Sequence, residues 1–156
     1  MKKRLAAVLF AALAVFTYVP AASAQGTAEL NDIRTGKHDR FERIVLDMTG
    51  LPRDFQSREV TGVTDCGPGN PINVPGNEIL ESVFHGAAAH DENYQPTYKG
   101  PRNFTTPNLS NVKGVALTCD FEATLGIAVG YTNPNSWHRV YTLTNPDRVV
   151  IDVWQG

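Results

Sequence analysis

Near its two ends this chain carries almost the same six residues twice, and that duplication limits its fold more than any other feature. Arg43-Ile44-Val45-Leu46-Asp47-Met48 returns as Arg148-Val149-Val150-Ile151-Asp152-Val153. A strand turns alternate side chains to opposite faces, so Ile44, Leu46 and Met48 share one side, as do Val149, Ile151 and Val153. The other sides carry Arg43, Val45 and Asp47, and Arg148, Val150 and Asp152. Each copy therefore predicts a strand with one apolar side for a core and a charged rim on the other. Arg and Asp four apart on one strand are separated by about 13 Å, too far to pair. If the two copies are antiparallel neighbours, the Arg of each faces the Asp of the other. Arg43, Asp47, Arg148 and Asp152 are assigned that structural role, with ligand contact as the alternative.

The rest of the chain reads as further short strands broken by Gly, Pro and Asn. Residues 30–35, 55–63 and 79–84 alternate well enough for strands, and in 55–63 either side could face inward. Residues 112–120 and 123–131 predict a hairpin, with Val115, Leu117 and Cys119 on one side of the first arm and Leu125, Ile127 and Val129 lining the second. Residues 139–144 and Arg148–Trp154 predict another, closed by a type I turn at Asn145-Pro146-Asp147-Arg148. Residues 25–31 read as a loose start, and 86–107 as the longest irregular stretch, with one helical turn over Ala87-Ala88-Ala89-His90. The fold class expected is all-β, a small antiparallel β-sandwich of two related sheets with little helix.

Residues 1–24 read as a signal peptide. Met1-Lys2-Lys3-Arg4 is a basic start, residues 5–19 form an apolar run, and Ala22-Ser23-Ala24 fits the small-x-small cleavage rule. The run is shorter than the roughly 20 residues of a spanning helix, and Pro20 closes it. Cleavage is expected to leave one domain over residues 25–156, secreted to the envelope, with no later membrane span. Lys2, Lys3 and Arg4 are the leader's only charges, so its loss lowers the formal net charge of −2 by three. A mildly acidic chain of scattered charge lacks the basic stripe of a nucleic-acid binder and the polybasic patch that holds a protein to anionic lipid. In an oxidising compartment Cys66 and Cys119 are expected to form a disulfide, worth about 4 kcal/mol at most; two free thiols are the alternative.

The ordered combination of segments resembles a known family. Arg-[Ile/Val]-Val-[Ile/Leu]-Asp near both ends of a secreted β domain is similar to the AMIN domain, the envelope-targeting module in front of N-acetylmuramoyl-L-alanine amidases and in pilus secretins. Closer still are the AMIN-like proteins of actinobacteria. They are resembled through Gly36-Lys37-His38-Asp39-Arg40-Phe41-Glu42-Arg43, Tyr94-Gln95-Pro96-Thr97-Tyr98, Gly100-Pro101-Arg102, Leu117-Thr118-Cys119-Asp120-Phe121-Glu122 and Arg139-Val140-Tyr141-Thr142-Leu143. The resemblance spans about residues 30–154. It implies a sandwich of two similar sheets, exported, with peptidoglycan or another envelope polymer as partner, and it carries over no binding residues. Unlike the amidase-linked examples, the chain shows no catalytic domain after the repeat.

No catalytic set emerges from the residues. There is no Gly-x-Ser-x-Gly elbow and no His-Glu-x-x-His motif, and His38, His85, His90 and His138 are too loosely spaced to predict a metal site. Asp47 with Asp120, or Asp120 with Glu122, could form the carboxylate pair of a glycosidase, which needs a separation of about 5–10 Å, but ordinary hairpins supply such pairs freely. No cofactor and no metal are expected. Tyr and Trp suit surfaces that are apolar on one side and wet on the other. Tyr94, Tyr98, Phe104, Tyr131, Trp137 and Trp154 all fall near loops or strand ends, with Arg102, Asn133, Asn135 and Arg139 close in sequence. Trp137, Arg139, Tyr98 and Tyr131 are taken as the candidate ligand contacts, the alternative being that these rings cover the sandwich ends. The function expected is non-catalytic recognition of peptidoglycan or another wall polysaccharide. The rivals are an adaptor docking on an envelope enzyme by a sheet edge or its Val45/Val150 side, and a small wall-glycan hydrolase. Cys66 and Cys119 should resist thiol reagents until a reductant is added; labelling of both in the untreated folded protein would rule their pairing out.

Overall fold

A computed structural model describes residues 26–156, so the leader expected over 1–24 lies outside the described residues. In chain order the strands are β1 (Ala28–Lys37), β2 (Phe41–Met48), β3 (Asp54–Val60), β4 (Val63–Thr64), β5 (Pro71–Ile72), β6 (Glu78–His85), β7 (Ala87–Ala88), β8 (Asn103–Thr105), β9 (Val112–Phe121), β10 (Thr124–Tyr131), β11 (Trp137–Leu143) and β12 (Arg148–Trp154). Two five-stranded sheets form, ordered β11-β12-β2-β1-β7 and β3-β6-β10-β9-β8. All their pairings are antiparallel except β1 with β7. Among the described residues there is no helix, and none long and apolar enough to cross a membrane.

The two copies of the repeat are β2 and β12, and they lie side by side in one sheet rather than one in each. Their alternation fills the sandwich. Leu30, Ile44, Leu46, Val149, Ile151 and Val153 point inward from the first sheet and meet Leu80, Phe84, Val115, Leu125, Ile127 and Val129 from the second. Each such side chain contributes about 1.5–3 kcal/mol on burial. Arg148, Val150 and Asp152 take the side predicted for them, but that rim is largely closed to solvent, since Val150 is 1% and Asp152 3% exposed. The reason is position. β12 is an inner strand, and Val150 stands between Tyr141 of β11 and Val45 of β2. A docking surface made of Val45 and Val150 is thereby closed.

Other departures from the sequence reading also have local causes. β1 starts at Ala28, whose amide donates to the Gly86 carbonyl at 2.8 Å, so residues 28–31 are not loose. Ala87 and Ala88 form a parallel bridge to β1 instead of a helical turn, their small side chains fitting the closed space there. The 144–147 connection has Asn145 at φ 58° and a cis Asn145–Pro146 peptide in place of the type I turn. In β9 a bulge between Leu117 and Cys119 shifts the register against β10. Cys119 pairs with Gly126 and turns outward, whereas Asp120 pairs with Leu125 and turns inward. Cys119 therefore does not share a side with Val115 and Leu117. In β3 the inward set is Phe55, Ser57 and Glu59, fixed by pairing of Ser57 with the fully buried Ser82.

The outward Cys119 meets Cys66 in a disulfide. That bond fastens a strap, residues 61–77, over the outer side of the second sheet. Val63 and Val74 on the strap pack against Ala116 and Ala128 of the sheet as a second, smaller core. The strap approaches so closely that a Cβ at Gly130 would lie 2.0 Å from the Pro75 carbonyl oxygen. The outer side of the first sheet carries no such second cluster among the described residues.

One inward residue of β2 is charged. Glu42 is fully buried, and its carboxylate accepts hydrogen bonds from the amides of Ser110 (2.5 Å), Asn111 (3.0 Å) and Val112 (2.6 Å). A buried charge is tolerable only when so paired, and these three bonds tie the start of β9 to β2 across the sandwich. Replacing Glu42 by alanine leaves three buried donors unsatisfied and should cost about 3 kcal/mol or more in a urea titration. Arg58→Ala, which breaks an exposed pair with Glu81 (2.9 Å), should cost under about 1 kcal/mol.

Candidate functional site

The uncovered outer side of the first sheet presents the odd-numbered residues of β2 and β11 and the even-numbered residues of β12. Their register sets Trp137 opposite Trp154 and Trp154 opposite Phe41. Adjacent strands lie about 4.8 Å apart, close to the stacking distance of aromatic rings, so rings at facing positions stack. Trp137 lies on Trp154 with centroids 4.5 Å apart and planes 6° from parallel. Trp154 leans on Phe41 at 4.6 Å, and Phe41 on His38 at 4.4 Å. Rings stacked across strands stand up from the sheet and cover each other's faces. The end of the row on edge strand β11 is different, since Trp137 is 52% exposed and, among the described residues, Trp154 is the only ring stacked on it. The Trp154 Nε1 donor is buried and has no partner among the described residues, so its ring is held by stacking, at about 0.5–1.5 kcal/mol per aromatic pair.

The entry to Trp137 is fixed by a polar cluster behind it. Asn111, one of the residues clasping Glu42, accepts the Asn133 amide at 2.8 Å through Oδ1 and donates to Ser136 Oγ at 2.9 Å through Nδ2. The loop between β10 and β11 is therefore pinned at both ends.

One step along the same side, Arg139 of β11, Asp152 of β12 and Arg43 of β2 lie in a row. Arg43 donates to both Asp152 oxygens, at 2.7 and 2.8 Å, and also to the Tyr141 hydroxyl at 2.8 Å. The Tyr141 hydroxyl in turn donates to Asp152 at 3.2 Å. Burial pushes the Tyr141 phenol up, with the Asp152 charge adding to it. Arg139 takes no part in this; its guanidinium lies over the Tyr141 ring at 5.0 Å, and that of Arg40 lies over Trp154 at 5.9 Å. Farther from the aromatic row, Asp47 stands opposite Arg148 in the register but bonds to Arg34, at 2.5 and 2.7 Å. The Arg34 fork holds the Asp47 carboxyl below its usual range, while Arg148 donates to the Pro146 carbonyl.

Of the four candidate ligand contacts, Trp137 and Arg139 stand together on this side. Tyr98 and Tyr131 do not join them. Tyr98 is 7% exposed and donates to the Pro101 carbonyl; Tyr131 is 2% exposed and donates to Glu59. Both rings belong to the core, a correction to their reading as ligand contacts. Phe41, Arg40 and Tyr141 enter the sequence reading only through the family resemblance, and His38 there and as a histidine too loosely placed for a metal site; none is named as a ligand contact. The signal existed: once Arg43 is set opposite Asp152, the same register sets Phe41 opposite Trp154.

A concavity of about 1130 Å³ lies at the other end of the sandwich between residues 88–96 and the β9–β10 hairpin. There the inward-turned Asp120 accepts from the Ala89 amide and bonds His90 Nδ1, both at 2.8 Å, with Arg102 at 3.6 Å. Tyr94 stacks on His90. Asp120 is thus engaged by three partners, and Glu122 is exposed at the hairpin turn. Among the described residues no group of three or more His, Cys, Asp or Glu gathers as a metal site.

Compared with known families, residues 28–155 match the AMIN-like domain. No curated protein matches the chain. No solved structure matches it.

Burial, and then the hydrogen bond to Glu59, push the Tyr131 phenol up to about 12. An unfolded tyrosine ionises near pH 10. The raised folded value means that this contribution to stability is whole below about pH 10 and is lost as pH rises toward 12. Absorbance titration of the phenolates should show a late-ionising tyrosine that Tyr131→Phe removes.

Proposed function

The chain belongs to the AMIN-like family, which associates it with the cell wall, and on that premise we propose that it is a non-catalytic, extracytoplasmic domain that recognises a wall polysaccharide, peptidoglycan first. The Cys66–Cys119 disulfide and the leader-like residues 1–24 support export, because such bonds persist in oxidising compartments. The observation that carries the reading is the half-exposed ring of Trp137 at the end of a stacked row. A flat ring held rigidly by its neighbour offers a sugar a preorganised apolar surface, and little ordering entropy is spent on binding. Arg139 and the polar loop before Trp137 supply hydrogen-bonding groups beside it.

The same edge favours a second reading. Among the described residues β11 has no neighbour on its far side, and an extended segment of an envelope protein could add to it as a further strand. Sedimentation with purified wall sacculi separates the two. The protein should pellet with sacculi at low salt, and Trp137→Ala should weaken binding about tenfold, the upper range for a lost aromatic contact, while lowering the unfolding temperature by only a few degrees for the lost stack on Trp154. Wild-type protein remaining in the supernatant would refute the polysaccharide reading and leave the strand-addition one to crosslinking in intact cells.

A further inference from the structure

The row formed by Arg139, Asp152 and Arg43 holds two guanidiniums and one carboxylate. Arg43 occupies both oxygens of Asp152, and the Tyr141 hydroxyl donates to one of them. Although the register sets Arg139 opposite Asp152, Arg139 makes no ion pair among the described residues, nor does Arg40 beside the aromatic row. The farther row sets Arg148 against Asp47 and Asp32, and Arg34, opposite Val45 in the next row, forks onto Asp47, so charge there is balanced. The shortage of negative charge is therefore local. It falls beside Trp137, on a chain whose formal net charge is −2.

Arg139 is also preorganised. Its guanidinium rests on Tyr141, which limits its freedom, and its donor fork matches a carboxylate in two parallel hydrogen bonds. Trp137 and Arg139 are two residues apart on one side of a strand, about 7 Å, a spacing on the scale of one sugar ring. We infer that the ligand is an acidic saccharide, whose ring stacks on Trp137 while a carboxylate on that ring or its immediate substituent completes the row at Arg139. This deepens the polysaccharide reading and rests on it.

The probes are N-acetylmuramic acid, whose lactyl carboxylate is free as in a glycan strand without its stem peptides, and N-acetylglucosamine, which lacks the lactyl ether, each titrated into the purified protein with tryptophan fluorescence as the readout. The wild type should bind the acid about three- to fivefold more tightly at low ionic strength, the range of one exposed ion pair, with the preference fading in high salt. Arg139→Gln should bring the ratio to about one, whatever it does to the common affinity for the two sugars. Arg58→Gln, which removes the same charge from the other sheet, should keep the ratio. Equal affinity of the wild type for both sugars, or a preference that survives Arg139→Gln, would overturn the acidic-saccharide inference and leave stacking on Trp137 standing. Binding of neither sugar, together with failure to pellet with sacculi, would remove the polysaccharide reading itself.

Discussion

Glu42 is the residue through which the two sides of the protein are connected. Its carboxylate, buried among three backbone amides of residues 110–112, fixes the start of β9 against β2. Asn111, in the middle of that clasp, then holds the 132–136 loop, and the loop delivers Trp137. The residues on either side of Glu42, Phe41 and Arg43, point the opposite way and form part of the aromatic and guanidinium rows. Three consecutive residues thus supply an internal anchor and two pieces of the outer face. The alternation of a strand makes this unavoidable. A carboxylate with three charge-assisted hydrogen bonds has few other arrangements as good, so register and rows stand or fall together.

The two sheets are unlike in what covers them. The second is roofed by the strap over 61–77, fastened by the disulfide and admitted by glycines where a side chain would collide. Among the described residues the first carries no such cover, and its own side chains form that side. Face-to-face packing alone would leave both outer sides equivalent, so the strap makes the asymmetry and leaves the aromatic row on the uncovered side. The bulge in β9 serves the same end, turning Cys119 outward to meet the strap and Asp120 inward to meet His90 and Arg102.

Charge on the bare side is distributed unevenly for a geometric reason. A carboxylate accepts one bidentate fork well, and whichever arginine takes it excludes the next. Arg43 is the one that also reaches Tyr141, so Asp152 goes to Arg43. Asp47 likewise goes to Arg34 rather than to Arg148, its counterpart in the repeat. The symmetry of the repeated sequence is broken by neighbours the repeat does not contain: β1 lies on one side of β2 and β11 on one side of β12.

Composition and alternation alone determined the all-β sandwich, the inward apolar sides of β2 and β12 and the expectation that the two cysteines pair, because a period of two leaves few other solutions for the strands and a leader-like start favours a disulfide. Residues near loops and strand ends fared differently. The rings of Tyr98, Tyr131 and Trp137 look alike in sequence, yet only Trp137 stands with Arg139 on the outer side, and Tyr98 and Tyr131 lie in the core. Strand membership says which way a side chain points, but not whether another element lies over it. Nor could alternation foresee the bulge at Thr118, the burial of Val150 between two neighbouring strands, or Glu42 meeting its amides. Those depend on which strands become neighbours across and within the sheets, and contacts between residues as distant as 42 and 112 exist only once the sandwich has closed.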